Sequence, residues 1–150
     1  METAFSLTMD NITAIQEYLT LHPTPQMART EWLDLCGEWD LAFDDDDTGL
    51  DSHWECRDDV YTHKILVPYP PEARASQLNE TGPHPVIWYR STFTSQHPID
   101  RERLLLHFGA VDYFATVWVN GQLVGQHRGG NTPFTIDITR VYQPGVAQVM

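Results

Sequence analysis

Leu104-Leu-Leu-His-Phe108, Ala115-Thr-Val-Trp-Val119 and Phe134-Thr-Ile-Asp-Ile138 are short runs dense in aliphatic, β-branched and aromatic residues, the composition of strands. Between the second run and Gln122-Leu-Val-Gly-Gln126 stands Asn120-Gly121. That pair favours a type I′ hairpin turn, because both residues tolerate positive φ. Gly109 to Tyr113 reads as a connection, and His127-Arg-Gly-Gly-Asn-Thr-Pro133 as a loop. Toward the N-terminus, Val86-Ile-Trp-Tyr-Arg-Ser-Thr-Phe-Thr94 reads as one strand and His63-Lys-Ile-Leu-Val-Pro-Tyr-Pro-Pro71 as a strand stopped by prolines, which cannot donate to a ladder. Trp39, Leu41 and Phe43 alternate with Asp40 and Ala42, which predicts a strand with one buried face. Asp44 to Asp47 repel one another and are expected in a solvated acidic loop rather than a calcium cage, which needs staggered ligands. Pro144-Gly145 marks a turn before Val146 to Met150. Many short strands with turn signals between them predict an all-β chain, a sandwich or jelly roll.

At 150 residues the chain suits one domain with a real core. Residues 1–30 read as a peripheral segment, with a short helix expected over Thr13–Leu21, and 31–150 as the sandwich. The unfinished appearance of Ala147-Gln-Val-Met150 suggests a sandwich cut short at its C-terminal side. A net charge of −12 argues against nucleic acid and anionic membrane surfaces as partners, since both need a basic footprint. No stretch has the length of a membrane span, and the first residues lack a basic segment followed by an apolar run. Cys36 and Cys56 make no disulfide framework and no zinc pattern. They are expected as reduced thiols in a cytoplasmic protein, with a single bridge between them left open. The sequons at Asn11 and Asn79 are then coincidental. Seven histidines show no metal spacing, so neither a metal site nor a cofactor is expected.

Four segments occur in a familiar order: Trp88-Tyr-Arg-Ser-Thr-Phe93, Leu106-His-Phe-Gly-Ala-Val-Asp-Tyr113, Ala115-Thr-Val-Trp-Val-Asn-Gly121 and His127-Arg-Gly-Gly-Asn-Thr-Pro-Phe-Thr-Ile-Asp-Ile138. Together they resemble the sugar-binding domain of glycoside hydrolase family 2, the β-galactosidase, β-glucuronidase and β-mannosidase group. Gly37-Glu-Trp39, the acidic loop to Gly49 and Val67-Pro68 also fit that pattern. The resemblance implies an all-β jelly-roll β-sandwich of the galactose-binding-domain type, followed in the parent chain by an immunoglobulin-like domain and a catalytic (β/α)₈ barrel. It also implies retaining hydrolysis by two barrel glutamates about 5 to 5.5 Å apart. No catalytic residue is then expected in this chain. The expected partners are carbohydrate and the downstream domains, and homo-oligomers are frequent in the family.

The candidate sugar-contacting residues are His127, Arg128, Gly129, Gly130 and Asn131, with Asp112 and Tyr113 on the preceding connection and Trp54 after a loop. Two glycines admit close approach of a ligand or a neighbouring domain. His, Arg and Asn supply donors for hydroxyls or a carboxylate. In some family members the equivalent region reaches the active site. The galactosidase form carries an acidic residue where this chain has His, Arg and Gly. Trp39, Trp88 and Trp118 lie inside strand patterns and are expected in the core. Arg90 needs a carboxylate partner within the sandwich, and Asp137 is expected to cap a turn. The alternatives are a free-standing carbohydrate-binding module and a purely structural interaction domain, which would display an apolar face for a neighbour.

Overall fold

The computed structural model describes residues 32–95 and 102–150; the helix expected over residues 13–21 and the sequon at Asn11 lie outside them. The chain divides into two compact units, Met1–Leu35 and Cys36–Met150. Among the described residues the second unit is all-β, with strands β1 (Gly37–Phe43), β2 (His63–Val67), β3 (Ile87–Arg90), β4 (Thr92–Thr94), β5 (Leu105–Phe108), β6 (Phe114–Val119), β7 (Gln122–Arg128), β8 (Phe134–Asp137) and β9 (Ala147–Val149). They pair antiparallel as β2–β1–β3, β4–β9, β5–β8 and β6–β7, a sandwich of the expected jelly-roll type.

Period-two patterning selects the core. Ala115, Val117 and Val119 of β6 are buried, as are the register partners Leu106 of β5 and Ile136 of β8. Leu41, Ile65, Val119 and Ile138 are almost wholly removed from solvent, each worth about 1.5–3 kcal/mol of burial. Asn120 and Gly121 both have positive φ, as the predicted hairpin turn requires. Cys36 and Cys56 are not bridged to one another.

Four expectations are corrected. The run Val86–Thr94 is two strands. Ser91 exchanges 2.8 Å backbone hydrogen bonds with Met150, and the chain passes there from pairing with β1 to pairing with β9. Composition cannot reveal a change of partner within one extended run. β1 buries both faces: Leu41 and Ala42 are buried, while Trp39 and Phe43 are only half-buried. As the central strand it packs Ala42 beside Trp88, and Phe43 stacks on His84 at 3.7 Å. The acidic loop is not uniformly solvated, since Asp44 is 3% exposed whereas Asp45, Asp46 and Asp47 are exposed. Finally, β7 runs on through His127 and Arg128, so the predicted loop begins two residues later. The Phe114↔Arg128 and Ala115↔His127 pairs extend the ladder that far.

Gln148 is fully buried and fully bonded. Its amide group donates to the carbonyls of Gln143 (2.8 Å) and Val146 (2.6 Å), and its oxygen accepts from Asn120 Nδ2 and the Gln143 amide. Asn120 also donates to the Val141 carbonyl and accepts from the Val149 amide. The hairpin turn is thereby tied to the last strand.

Candidate functional site

The β6–β7 register builds the site. Phe114 opposite Arg128 brings the Asp112–Tyr113 connection beside Gly129 and Gly130, at the end of the hairpin away from its turn. The Gly129 amide donates to the Tyr113 carbonyl at 2.8 Å. Gly129 has φ +140, a conformation that L side chains rarely adopt. A β-carbon on Gly130 would lie 2.9 Å from Asp112 Cγ, so the missing side chain makes room for that carboxylate. The Arg128 guanidinium lies over the Tyr113 ring, 5.3 Å from its centroid, within cation–π range. His127 Nε2 is 3.0 Å from Thr132 Oγ1, and its ring stacks on Phe134 at 4.3 Å. Phe134 stacks in turn on Phe108 at 4.6 Å. Asn131 is exposed at the loop tip.

Sequence reasoning named seven residues that the fold gathers here: Asp112, Tyr113, His127, Arg128, Gly129, Gly130 and Asn131. The rim also carries a residue that it missed. Phe114 is 60% exposed beside Tyr113 at 56%. Its signal was the alternation of β6 itself, which points Phe114 away from the face of Ala115, Val117 and Val119.

Trp54 is elsewhere. It sits in a 3₁₀ turn, Trp54–Cys56, and packs against Trp88 at 6.0 Å. Trp88 stacks on Trp118 at 5.3 Å. Cys56 Sγ lies 3.0 Å from where a β-carbon on Gly121 would stand, which places this turn by the opposite end of the hairpin. Tyr113 and Trp118 are five residue steps apart along the chain, about 16 Å of strand.

Trp88 is held by a motif that the sequence reading did not find. Its indole donates to Asp44 Oδ2 at 3.1 Å, and the same carboxylate accepts from the amides of Thr48 (2.9 Å) and Gly49 (2.8 Å). Burial pushes the Asp44 carboxyl up, but these hydrogen bonds together outweigh it and hold the group below the usual carboxylate value. Asp137, Asp40 and Asp58 are also committed to structure. Asp137 accepts from the Thr139 amide at 3.0 Å, the turn cap expected of it. Arg90 meets Asp58 at 2.7 Å and Asp40 at 3.7 Å; because Asp58 is largely exposed, this is a surface cluster rather than a buried pair. Among the described residues no cluster of His, Cys, Asp and Glu could hold a metal ion.

Chemically, the glycine-pair end offers one cation, one anion, an imidazole, an amide and two exposed aromatic rings. Such a set of donors and acceptors suits a polar ligand. The family described as glycosyl hydrolases family 2, sugar binding domain, matches residues 32–150. A β-glucuronidase of Paenibacillus borealis is 33% identical over 132 residues, covering 83% of this chain and 21% of the relative. A β-galactosidase of Thermoanaerobacter pseudethanolicus is 38% identical over 76 residues, covering 45% of this chain and 10% of the relative. A solved β-glucuronidase of Ruminococcus gnavus, in complex with a C6-substituted uronic isofagomine, superposes with a TM-score of 0.67 at 25% identity, covering 81% of this chain and 21% of that one. The chain spans about a fifth of the length of the two β-glucuronidases.

Proposed function

The chain belongs to glycosyl hydrolase family 2 as its sugar-binding domain, and on that premise we propose that it serves a longer retaining β-glycosidase that hydrolyses O-glycosidic bonds, β-glucuronides first and β-galactosides second. The order follows from coverage: two relatives named β-glucuronidase reach across 83% of the chain, and a relative named β-galactosidase across 45%. The domain itself is non-catalytic. The single observation that carries this reading is the match over 32–150 to a sugar-binding domain that makes up about a fifth of the relatives. The commitment of Asp44, Asp40, Asp58 and Asp137 to donors within the fold agrees with it.

In this reading the glycine-pair end forms one edge of the sugar cleft. Asp112, Tyr113 and His127 to Asn131 face substrate or the downstream immunoglobulin-like and barrel domains, which complete the cleft. Trp54 serves the aromatic stack with Trp88 instead. Cys36 and Cys56, which form no bridge to one another, suit a reducing, cytoplasmic setting.

An antibody raised against this chain tests the proposal. It should capture from the source cells a polypeptide several times longer that hydrolyses a chromogenic β-glucuronide, while the 150-residue chain alone is inert. Hydrolysis by the chain alone, or a native protein no larger than it, would refute the reading.

A further inference from the structure

We propose that Asn120 is a conditional modification site: strand β9 holds its side-chain amide against deamidation, and release of that strand opens the Asn120-Gly121 turn to succinimide formation. The site is independent of the sugar-cleft reading above.

The first argument is chemical. Asparagine followed by glycine is the pair most open to this reaction, because glycine has no β-carbon to shield its backbone nitrogen. The Gly121 nitrogen gives up its proton to solvent base and attacks Cγ of Asn120. The new N–Cγ bond forms, the Cγ–Nδ2 bond breaks, and the leaving nitrogen takes up a proton and departs as ammonia. Water then opens the succinimide at either carbonyl, leaving aspartate or isoaspartate. Gly121 is exposed, so base and water reach the turn. Asn79 and Asn131 are exposed too, but glutamate and threonine follow them, and the side chains of these residues crowd the attacking nitrogen.

The second argument is geometric. Asn120 Nδ2 donates to the Val141 carbonyl at 3.1 Å and to Gln148 Oε1 at 2.9 Å, and Oδ1 accepts from the Val149 amide at 3.0 Å. For Cγ to swing onto the Gly121 nitrogen, these bonds must be released. Two of the three partners stand on β9, and the Asn120 amide donates to the Val149 carbonyl at 2.8 Å as well. Gln148 cannot accommodate the product. Its oxygen also accepts from the Gln143 amide, and its nitrogen donates to the carbonyls of Gln143 and Val146, so turning the group over would lose all three bonds. A carboxylate at position 120 would set an oxygen where Nδ2 stands, facing the Val141 carbonyl and Gln148 Oε1 with no proton to share. The reaction therefore records an opening of β9 and keeps the strand from closing again.

The test incubates the 150-residue chain in mildly alkaline buffer, folded and in urea. Peptide mass spectrometry follows deamidation at each asparagine, and hydrogen exchange follows the Asn120 and Val149 amides. In urea, Asn120 should react well ahead of Asn79 and Asn131. In the folded chain it should react roughly a hundredfold more slowly than in urea, the scale of three modest hydrogen bonds. Gln148→Ala removes one of those bonds and the anchors of β9, and should speed the folded-state reaction about tenfold. If that variant does not fold, urea below the unfolding transition of the parent chain replaces it. Deamidation of Asn120 should then rise in step with exchange at Val149, ahead of global unfolding. Asn120→Asp, which reproduces one product, should lose exchange protection at Val149. Equal rates in the folded and unfolded chain, or a folded Gln148→Ala chain as protected as the parent, would overturn the assignment. So would deamidation that rises only with global unfolding, or an Asn120→Asp chain that keeps Val149 protected.

Discussion

The two ends of the β6–β7 hairpin use the same kinds of residue in opposite ways. By the turn, an acid, a glycine and three tryptophans close on one another: Asp44 accepts from the Thr48 and Gly49 amides and the Trp88 indole, Gly49 leaves space for that indole, and Trp54 and Trp118 both pack on it. At the other end an acid, a glycine pair, an arginine and two aromatic rings remain open. Asp112 and Arg128 are unpaired among the described residues, and Tyr113 and Phe114 are more than half exposed. Saturation marks a structural cluster, because a buried acceptor surrounded by donors has nothing left for a ligand. Donors and acceptors left open at the other end stay available to a ligand or a neighbouring domain.

If that contrast is right, substitutions at the turn end should be costly and those at the glycine-pair end cheap. Trp88→Ala should lower stability by about 3–5 kcal/mol, read as the urea midpoint of the chain, since it empties the centre of the aromatic stack. Asp44→Ala should cost about 1–3 kcal/mol, because it orphans the Thr48 and Gly49 amides and the Trp88 indole. Matched glycine substitutions sharpen the comparison. Gly49→Ala drives a methyl to within 2.8 Å of Trp88 Cε2 in a buried site and should cost about 1–3 kcal/mol. Gly130→Ala meets the exposed side chain of Asp112, which can turn aside into solvent, and should stay within about 0.5 kcal/mol. Similar losses for the two glycine variants would break the distinction.

Acid titration gives a smaller, signed effect. The Asp44 carboxyl is held below its ordinary 3.8, so its stabilisation is fully present above that value and is lost as pH falls through the lower folded one. Asp44→Asn should therefore be less stable than the parent chain at neutral pH. The difference should narrow in the most acidic range where both remain folded, which urea midpoints measured across pH would reveal. A difference that does not change with pH would remove Asp44 from this role.

The sequence revealed whatever depends on neighbours in the chain. Alternation in Ala115–Val119, the Asn120-Gly121 turn and the strand over Phe134–Asp137 all follow from side-chain period and backbone preference. The glycine pair and its charged neighbours could be nominated too, since a loop rich in glycine and donors stands out locally. It was not possible to foresee that Asp44, one of four identical acids, alone turns inward. The three others match it in chemistry, and only the position of Trp88, paired to β1 from forty-four residues away, distinguishes it. Trp54 misled for the same reason: a tryptophan after a loop has the same sequence signature whether it meets solvent or another indole.

By itself, then, the sequence determined the all-β class, the hairpin and the family resemblance, because period-two burial and turn chemistry act over a few residues. Tertiary structure alone decided that the Val86–Thr94 run changes partner at Ser91, that Gln148 is locked inside, and that Arg128 rests on Tyr113 beside an open Asp112. Those outcomes depend on which residues distant in the chain meet across a register, and register is set by the packing of the whole sandwich.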